Sequence, residues 1–186
     1  MRGLNPFGGG DEEDFFDAVE AFVPENLPEP SGFLTDHEIL VDDDHVDFHR
    51  IACDVFEQRG VYDMTFGYNL ARLNLDRRHP NAGYRYARER KNPKIVRSVF
   101  TPTTPFCPQA HTLATGSFRA WNGLRENYEY DLVRVRVDDM HHDSDGINKD
   151  LTEREELFEQ TGDVTKTEDE ISAERIDPNQ RSSSPF

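Results

Sequence analysis

Cys107 is the residue whose position in the sequence most directly indicates chemistry. It lies in FTPTTPFCPQAHTL, between two prolines and directly ahead of a segment with helical periodicity. Pro108 suits the first position of a helix, where its missing N–H costs nothing. A cysteine at a helix N-terminus meets the positive end of the helix dipole and unpaired N–H groups, and both favour the thiolate. We therefore predict a presented thiol that binds or transfers metal; a purely structural cysteine is the alternative.

Three histidines supply a second class of metal ligand. His111 follows Cys107 by one helical turn, and His141 and His142 follow a valine-rich strand. Thiolate and imidazole together suit zinc, or an iron–sulfur site with mixed ligands. No spacing matches a closed zinc site and no CxxC pair is present. We therefore predict a transient or intersubunit metal site that draws on Cys107, His111, His141 and His142.

The elements that must position these residues follow from hydrophobic periodicity. Helical spacing predicts helices over 46–60, from Pro108 to about Leu124, and from Ser144 to Gly162. Residues 62–78 and 82–103 resemble two strands joined by a His-Pro-Asn-Ala-Gly loop, and YDLVRVRVDD alternates as a third strand. This order predicts an α+β fold, in which a small mixed sheet of about three strands has helices packed on one face. Cys53 lies inside the first of these helices, where we expect a small packed residue.

The remaining segments predict how the chain is divided. We expect a disordered N-terminus over 1–12, a short helix and Pro-rich linker over 13–44, the α+β domain over 45–160 and an acidic disordered tail over 161–186. The short helix follows from the spacing of Phe15, Phe16, Val19 and Phe22, and it caps the core or docks to a partner.

The charge of the chain excludes some partners and suggests a cellular setting. Acidic residues outnumber basic ones 37 to 21, and the formal net charge is −16. Nucleic-acid binding is disfavoured by this charge. Residues 63–97 nevertheless carry nine basic side chains against three acidic ones, a local excess of +6. This region forms either a solvated sheet face or a docking face for an acidic partner or RNA. A large excess of carboxylates is tolerated best where salt screens their repulsion, so we hypothesise a halophile with molar salt in its cytoplasm.

This hypothesis predicts that KCl stabilises the fold. The free energy of unfolding should rise from dilute buffer to molar KCl, because salt screens the repulsion among carboxylates. Urea unfolding at a series of KCl concentrations measures the effect. Equal or greater stability in dilute buffer would contradict the hypothesis.

The two cysteines and the absence of long apolar runs indicate a compartment. Cys53 and Cys107 are too few for a disulfide scaffold, and a reducing compartment would keep both as thiols. No run of about 18 apolar residues is present, and the first residues lack the apolar core of a signal peptide. We expect a cytoplasmic protein that does not enter a membrane.

Two blocks of the sequence, FTPTTPFCPQAHTL and VRVRVDDMHHDSDGINKDLTEREEL, carry a resemblance to a known family. They resemble segments of the cytosolic iron–sulfur cluster assembly targeting family, whose relatives include SufT-like and PaaD-like small proteins. FTPTTPFCPQAHTL resembles that family's Thr-Pro-Thr-x-Pro-His-Cys signature, with Phe106 in place of the histidine. VRVRVDDMHHDSDGINKDLTEREEL resembles its strand, histidine, acidic loop, Ile-Asn-Lys-x-Leu and charged helix, with Ser144 where an acid is usual. The matching residues are Thr101, Pro102, Thr103, Pro105 and Cys107 in the first block, and His141, Ile147, Asn148, Lys149 and Leu151 in the second.

The resemblance implies a small α+β domain whose cysteine takes part in cluster assembly or delivery. On this basis we predict an iron–sulfur assembly or delivery factor rather than an enzyme, with Cys107 as reactive thiol and His141 as a second ligand. The cofactor would be a transient iron–sulfur cluster or iron, and the partners client apoproteins or assembly machinery. One cysteine cannot supply four cluster ligands, so a homodimer or a client would share them. The alternatives are an interaction scaffold and a thiol enzyme in which His111 or His141 activates Cys107.

Overall fold

A four-stranded mixed sheet is the centre of the fold. The computed structural model describes residues 15–167. The main sheet has the order β1-β4-β5-β6, with β5 and β6 parallel and the other pairs antiparallel, and β2 and β3 form a separate two-stranded sheet. The strands are β1 (Glu38–Ile39), β2 (Tyr62–Asp63), β3 (Tyr68–Asn69), β4 (Gly83–Arg88), β5 (Ile95–Thr101) and β6 (Leu132–Val137). The helices are α1 (Gly32–Thr35), α2 (Asp42–Arg59), α3 (Ala110–Gly123) and α4 (Ser144–Thr161).

The main core lies between one face of the sheet and helices α2 and α3. Strand alternation places Tyr84 and Tyr86 of β4 on this face, where they meet Phe48 of α2 and Trp121 of α3. Helix α4 packs along β6 at the sheet edge and contacts α3 through Phe158. The α+β class predicted from the sequence is confirmed. The main sheet has four strands rather than three, because the two-residue β1 pairs with β4.

The three long helices occur where periodicity predicts them. Helix α2 begins at Asp42, four residues before the predicted start, and three aspartates occupy its first turn, where the helix dipole favours carboxylates. Gly60 and Gly162 end α2 and α4 in the left-handed conformation, with φ of 68° and 70°. Among residues 15–167, no helix is long and apolar enough to cross a membrane.

The predicted strand over 62–78 is wrong. That stretch forms the short β2–β3 hairpin and a 3₁₀ helix over Leu70–Leu75, in which all three leucines are buried. Asn69 starts this turn, since its side chain accepts a hydrogen bond from the backbone N–H of Ala71. The true hairpin lies within 82–103, where β4 and β5 pair on either side of the Pro93 turn.

The N-terminal region differs from its prediction. The predicted helix over Phe15–Phe22 does not form, and residues 16–22 are not helical. The backbone there pairs with residues 75–77 instead: the Asp17 N–H donates to the Leu75 carbonyl at 2.7 Å, and the Arg77 N–H donates to the Phe15 carbonyl at 2.8 Å. The short helix is α1, whose Leu34 packs with Ala87 on the opposite face of the sheet. The folded domain therefore begins well before residue 45. The predictions of disorder for 1–12 and for most of 161–186 lie outside the described residues.

The basic residues between 63 and 97 do not form one surface. Arg85 is buried and donates to the carbonyl of Pro28, while Arg97 is paired with Glu89 at 2.9 Å. Arg90 and Lys91 are exposed in the β4–β5 turn. The predicted solvated or docking face is thus divided: Arg85 lies in the interior, Arg97 in an ion pair, and Arg90 and Lys91 in a turn.

Candidate functional site

Two loops that carry the sequence motifs lie side by side at one end of the sheet. Strands β5 and β6 are parallel neighbours, so their C-terminal ends meet at the same edge. The loop after β5 contains Cys107, and the loop after β6 contains His141 and His142. The two blocks noted in the sequence are therefore contiguous in space.

Hydrogen bonds hold the Cys107 loop in place on both sides. His141 Nε2 donates to the carbonyl oxygen of Cys107 at 2.9 Å across 34 residues of sequence, and the His142 backbone N–H donates to the carbonyl of Pro105 at 2.9 Å. On the other side, Gln109 accepts from the backbone N–H of Met64 at 3.0 Å and donates to Thr65 Oγ1 at 2.8 Å. The loop is thus fixed between the β2–β3 hairpin and the loop after β6.

His141 uses both ring nitrogens within the protein. Its Nε2 donates to the Cys107 carbonyl, so its Nδ1 carries no proton and accepts from the Asp143 backbone N–H at 3.2 Å. Only 4 % of the residue is exposed. The geometry therefore makes His141 a positioning residue for the Cys107 loop and does not support the predicted role as a metal or cofactor ligand.

The Cys107 thiol is half-buried and protonated at neutral pH. Helix α3 begins at Ala110 with Gln109 at its N-cap, two residues later than predicted, so Cys107 lies outside the helix. Burial raises the pKa of the thiol, and Asp63 adds to this effect; hydrogen bonds from the backbone N–H groups of Gln109 and Ala110 lower it but do not prevail. The N–H groups at the start of α3 thus act on the thiol in the predicted direction, but burial outweighs them and the net shift of the pKa is upward.

His111 and His142 contact different parts of the protein. His111 is exposed, and its Nε2 lies 2.8 Å from Asp150 Oδ2 on α4. The exposed ring of His142 packs between those of Phe106 and His141, at centroid distances of 5.3 and 4.8 Å. No group of three or more His, Cys, Asp or Glu side chains within 15–167 is arranged to hold a metal ion. The described donors therefore do not fit a metal or cluster resident in one chain.

Among the remaining motif residues, Asn148 stabilises the end of a strand. Asn148 of α4 accepts from the backbone N–H of Val137 at 2.7 Å and donates to its carbonyl at 2.9 Å, so it fixes the end of β6 ahead of the histidine loop. Lys149 is 80 % exposed and lies 3.9 Å from Glu153. Thr101 and Pro102 are buried at the end of β5, while Thr103 and Pro105 belong to the loop that follows.

Sequence reasoning missed a second asparagine of the same kind. Asn122 of α3 accepts from the backbone N–H of Val133 at 2.8 Å and donates to its carbonyl at 2.9 Å. An asparagine inside an apolar helical pattern disfavours the helix, and this local cost is the signal that could have identified it. The two asparagines pin β6 near both of its ends.

The family model described as Domain of unknown function (DUF7998) matches residues 14–165. The chain belongs to this family. No curated protein and no solved structure matches it. The matched residues include all four helices and all six strands, and both the Cys107 loop and the histidine loop.

In this DUF7998 protein, the segments next to Cys107 carry exposed apolar side chains. Met64, Phe106 and Met140 are 82 %, 72 % and 37 % exposed, and each lies on one of the three segments that meet here. We call this the Cys107 surface, formed by Met64, Phe106, Cys107, Met140 and His142. Exposed apolar side chains close together are typical of protein contacts, and methionine adapts to differently shaped partners.

Cys53 has no part in this surface. It packs against the core from α2, and burial raises the pKa of its thiol to about 11. The prediction of a small packed cysteine is confirmed, which makes Cys53 a matched control for experiments on Cys107.

Proposed function

We propose that this protein is a cytoplasmic iron–sulfur assembly or delivery factor, and not an enzyme, that engages client apoproteins or assembly machinery through the Cys107 surface. The observation that supports this most strongly is the hydrogen bond from His141 to the Cys107 carbonyl. It joins the two blocks that resemble the iron–sulfur assembly targeting family. The conclusion depends on that resemblance together with the contiguity of the two blocks.

In this proposal the cluster is cargo shared between proteins. Cys107 offers a single thiol from a rigid loop, whereas a typical cluster needs four protein ligands. The other ligands would come from a client or from a second copy of the chain. The exposed side chains of Met64 and Phe106 would supply the contact area that brings such a partner to the thiol.

The variant Cys107→Ser, which replaces the thiol sulfur by oxygen, tests the proposal in cells. A strain lacking the chromosomal gene, complemented with Cys107→Ser, should lose at least about tenfold in the activity of its iron–sulfur enzymes. Cys53→Ser should restore that activity, since Cys53 only packs. The urea unfolding midpoints of both variants should stay close to that of the wild type, as expected of conservative changes. Full iron–sulfur enzyme activity with Cys107→Ser would contradict the proposed role of the thiol.

Anaerobic reconstitution with iron and sulfide in molar KCl separates two forms of the proposal. Visible absorbance, with iron and sulfide content, would be measured for the wild type and Cys107→Ser. A signal that depends on Cys107 identifies a direct carrier. No signal in either protein identifies an adaptor that recruits clients without holding the cluster.

A second candidate is an interaction scaffold that uses no cysteine chemistry. Burial keeps the Cys107 pKa raised, and three apolar side chains are exposed around it, so contact alone is a coherent role. Phe106→Ser, with Cys107 intact, should then abolish complementation while Cys107→Ser retains it. A thiol enzyme is less well supported, because His111 is bonded to Asp150 and His141 to the Cys107 carbonyl rather than to the thiol.

A further inference from the structure

A pocket of about 500 Å³ lies beside the β2–β3 hairpin. Its walls include four aromatic rings and two guanidinium groups, from Phe15, Phe16, Phe66, Tyr68, Arg72 and Arg78. This volume lies within the range of pockets that bind small molecules, which are mostly apolar with a few polar groups. The hairpin also carries Met64 and Thr65, which contact Gln109 next to the Cys107 loop. The pocket is nevertheless formed by different residues from the Cys107 surface.

The aromatic walls are held in place by the fold. Backbone pairing with residues 75–77 fixes Phe15 and Phe16, because the Arg77 N–H donates to the Phe15 carbonyl at 2.8 Å. Phe66 stacks on Tyr68 with ring centroids 5.6 Å apart and planes 14° from parallel. Tyr68 in turn donates its hydroxyl to Asp76 at 2.8 Å. A ligand would therefore enter a site that is largely formed in advance.

The pocket carries positive charge in a strongly acidic protein. Arg78 donates to both oxygens of Asp76, at 2.9 and 2.8 Å, so these two charges offset each other. The guanidinium carbon of Arg72 lies 4.1 Å from the Phe16 ring centre, and Arg72 forms no ion pair with any residue of 15–167. No carboxylate within the described part of the chain lines the pocket. The unbalanced charge is therefore that of Arg72.

We propose that this pocket binds a small aromatic anion. The ligand's ring would pack against Phe66 and Phe15, and its anionic group would accept hydrogen bonds from Arg72. Stacking on Phe16 orients the Arg72 guanidinium and leaves its N–H groups at the edge available to an anion. This site is independent of cluster assembly and stands or falls separately from it.

The test uses 1-anilinonaphthalene-8-sulfonate, a fluorescent aromatic anion, with the full chain in 2 M KCl. The wild type should bind the probe saturably, and Arg72→Gln should weaken binding at least fivefold because it removes the charge. Phe66→Leu should weaken it as well. Arg119→Gln, a change of an exposed arginine on α3, and Phe106→Ser, on the Cys107 surface, should leave the affinity unchanged.

A neutral analogue and two competitors complete the design. N-phenyl-1-naphthylamine lacks the sulfonate, so its binding should not respond to Arg72→Gln. Adenosine monophosphate and 4-hydroxyphenylacetate are titrated against the bound probe, and displacement by one or the other identifies a nucleotide or an aromatic carboxylate as the better ligand. Equal affinity of the wild type and Arg72→Gln for the probe, or displacement by neither competitor at millimolar concentration, would overturn the proposal.

Discussion

Lowering the pH from 6.5 to about 4.5 is expected to reduce the free energy of unfolding by about 5 kcal/mol, through two buried histidines. Burial, with smaller effects from His49 and Arg85, lowers the pKa of His45 to about 3. Burial lowers the pKa of His49 to about 4. The unfolded chain binds protons at these sites below pH 6.5 while the folded chain does not. Stability is therefore complete above pH 6.5 and falls as the pH drops towards the folded-state values.

The surroundings of both rings explain why they stay neutral. His49 donates from Nε2 to the Ala71 carbonyl at 2.7 Å, and its Nδ1 lies 2.6 Å from the Tyr86 hydroxyl, so both nitrogens of the neutral ring have partners. The bond to the Ala71 carbonyl raises the pKa of His49, but burial outweighs it. His45 stacks on His49 at 5.5 Å, and its buried Nδ1 has no hydrogen-bond partner among residues 15–167. A charge on either ring would be desolvated and would repel a charge on the other.

Urea unfolding between pH 7 and 4.5 checks this prediction. With two histidines titrating, the free energy should fall by roughly 2–3 kcal/mol per pH unit in the middle of this range. His45→Phe should halve that slope and leave stability at pH 7 equal or higher, since it removes an unpaired buried nitrogen. An unchanged slope in His45→Phe would show that His45 is not the titrating group.

Replacing Glu155 by Gln is expected to destabilise the fold by about 3–5 kcal/mol, because it leaves two partly buried arginines without the buried carboxylate that pairs with both. Glu155 of α4 is 4 % exposed and is paired with Arg134 and Arg136 of β6. Arg134 also contacts Glu89 at 2.9 Å, which in turn pairs with Arg97 of β5. Glu89 and the more exposed Glu159, which lies 3.7 Å from Arg134, would then face the charges of three arginines.

Urea unfolding of Glu155→Gln beside Glu156→Gln measures this contribution. Glu156 is its exposed neighbour on α4, so its replacement should change stability by less than about 0.5 kcal/mol. Salt screens buried pairs far less than exposed ones, so the loss should be similar in dilute and molar KCl. A loss below about 1 kcal/mol for Glu155→Gln would contradict the importance assigned to this network.

The fold was predictable wherever one face of an element is apolar. Helix α3 and strand β6 show this, since Leu113, Phe118 and Trp121 recur at helical spacing and Val133 and Val135 alternate. The structure over 62–78 was not predictable in this way, because its apolar residues fit a 3₁₀ turn as well as a strand. Only the tertiary structure distinguishes a strand from a 3₁₀ turn there. The two motifs of the candidate site were visible in the sequence, but the spatial arrangement of the Cys107 loop and the histidine loop was not.

The sequence by itself determined what depends on neighbours along the chain. It indicated the three long helices, the glycines that end α2 and α4, the acidic excess and Cys107 as the candidate site residue. Tertiary structure decided everything that depends on distant residues. The parallel pairing of β5 and β6 brought His141 to the Cys107 carbonyl, and burial raised the pKa of Cys107 where local helix position predicted the opposite. Desolvation reflects how densely the whole chain packs around a group, and that packing is not encoded in the spacing of nearby residues.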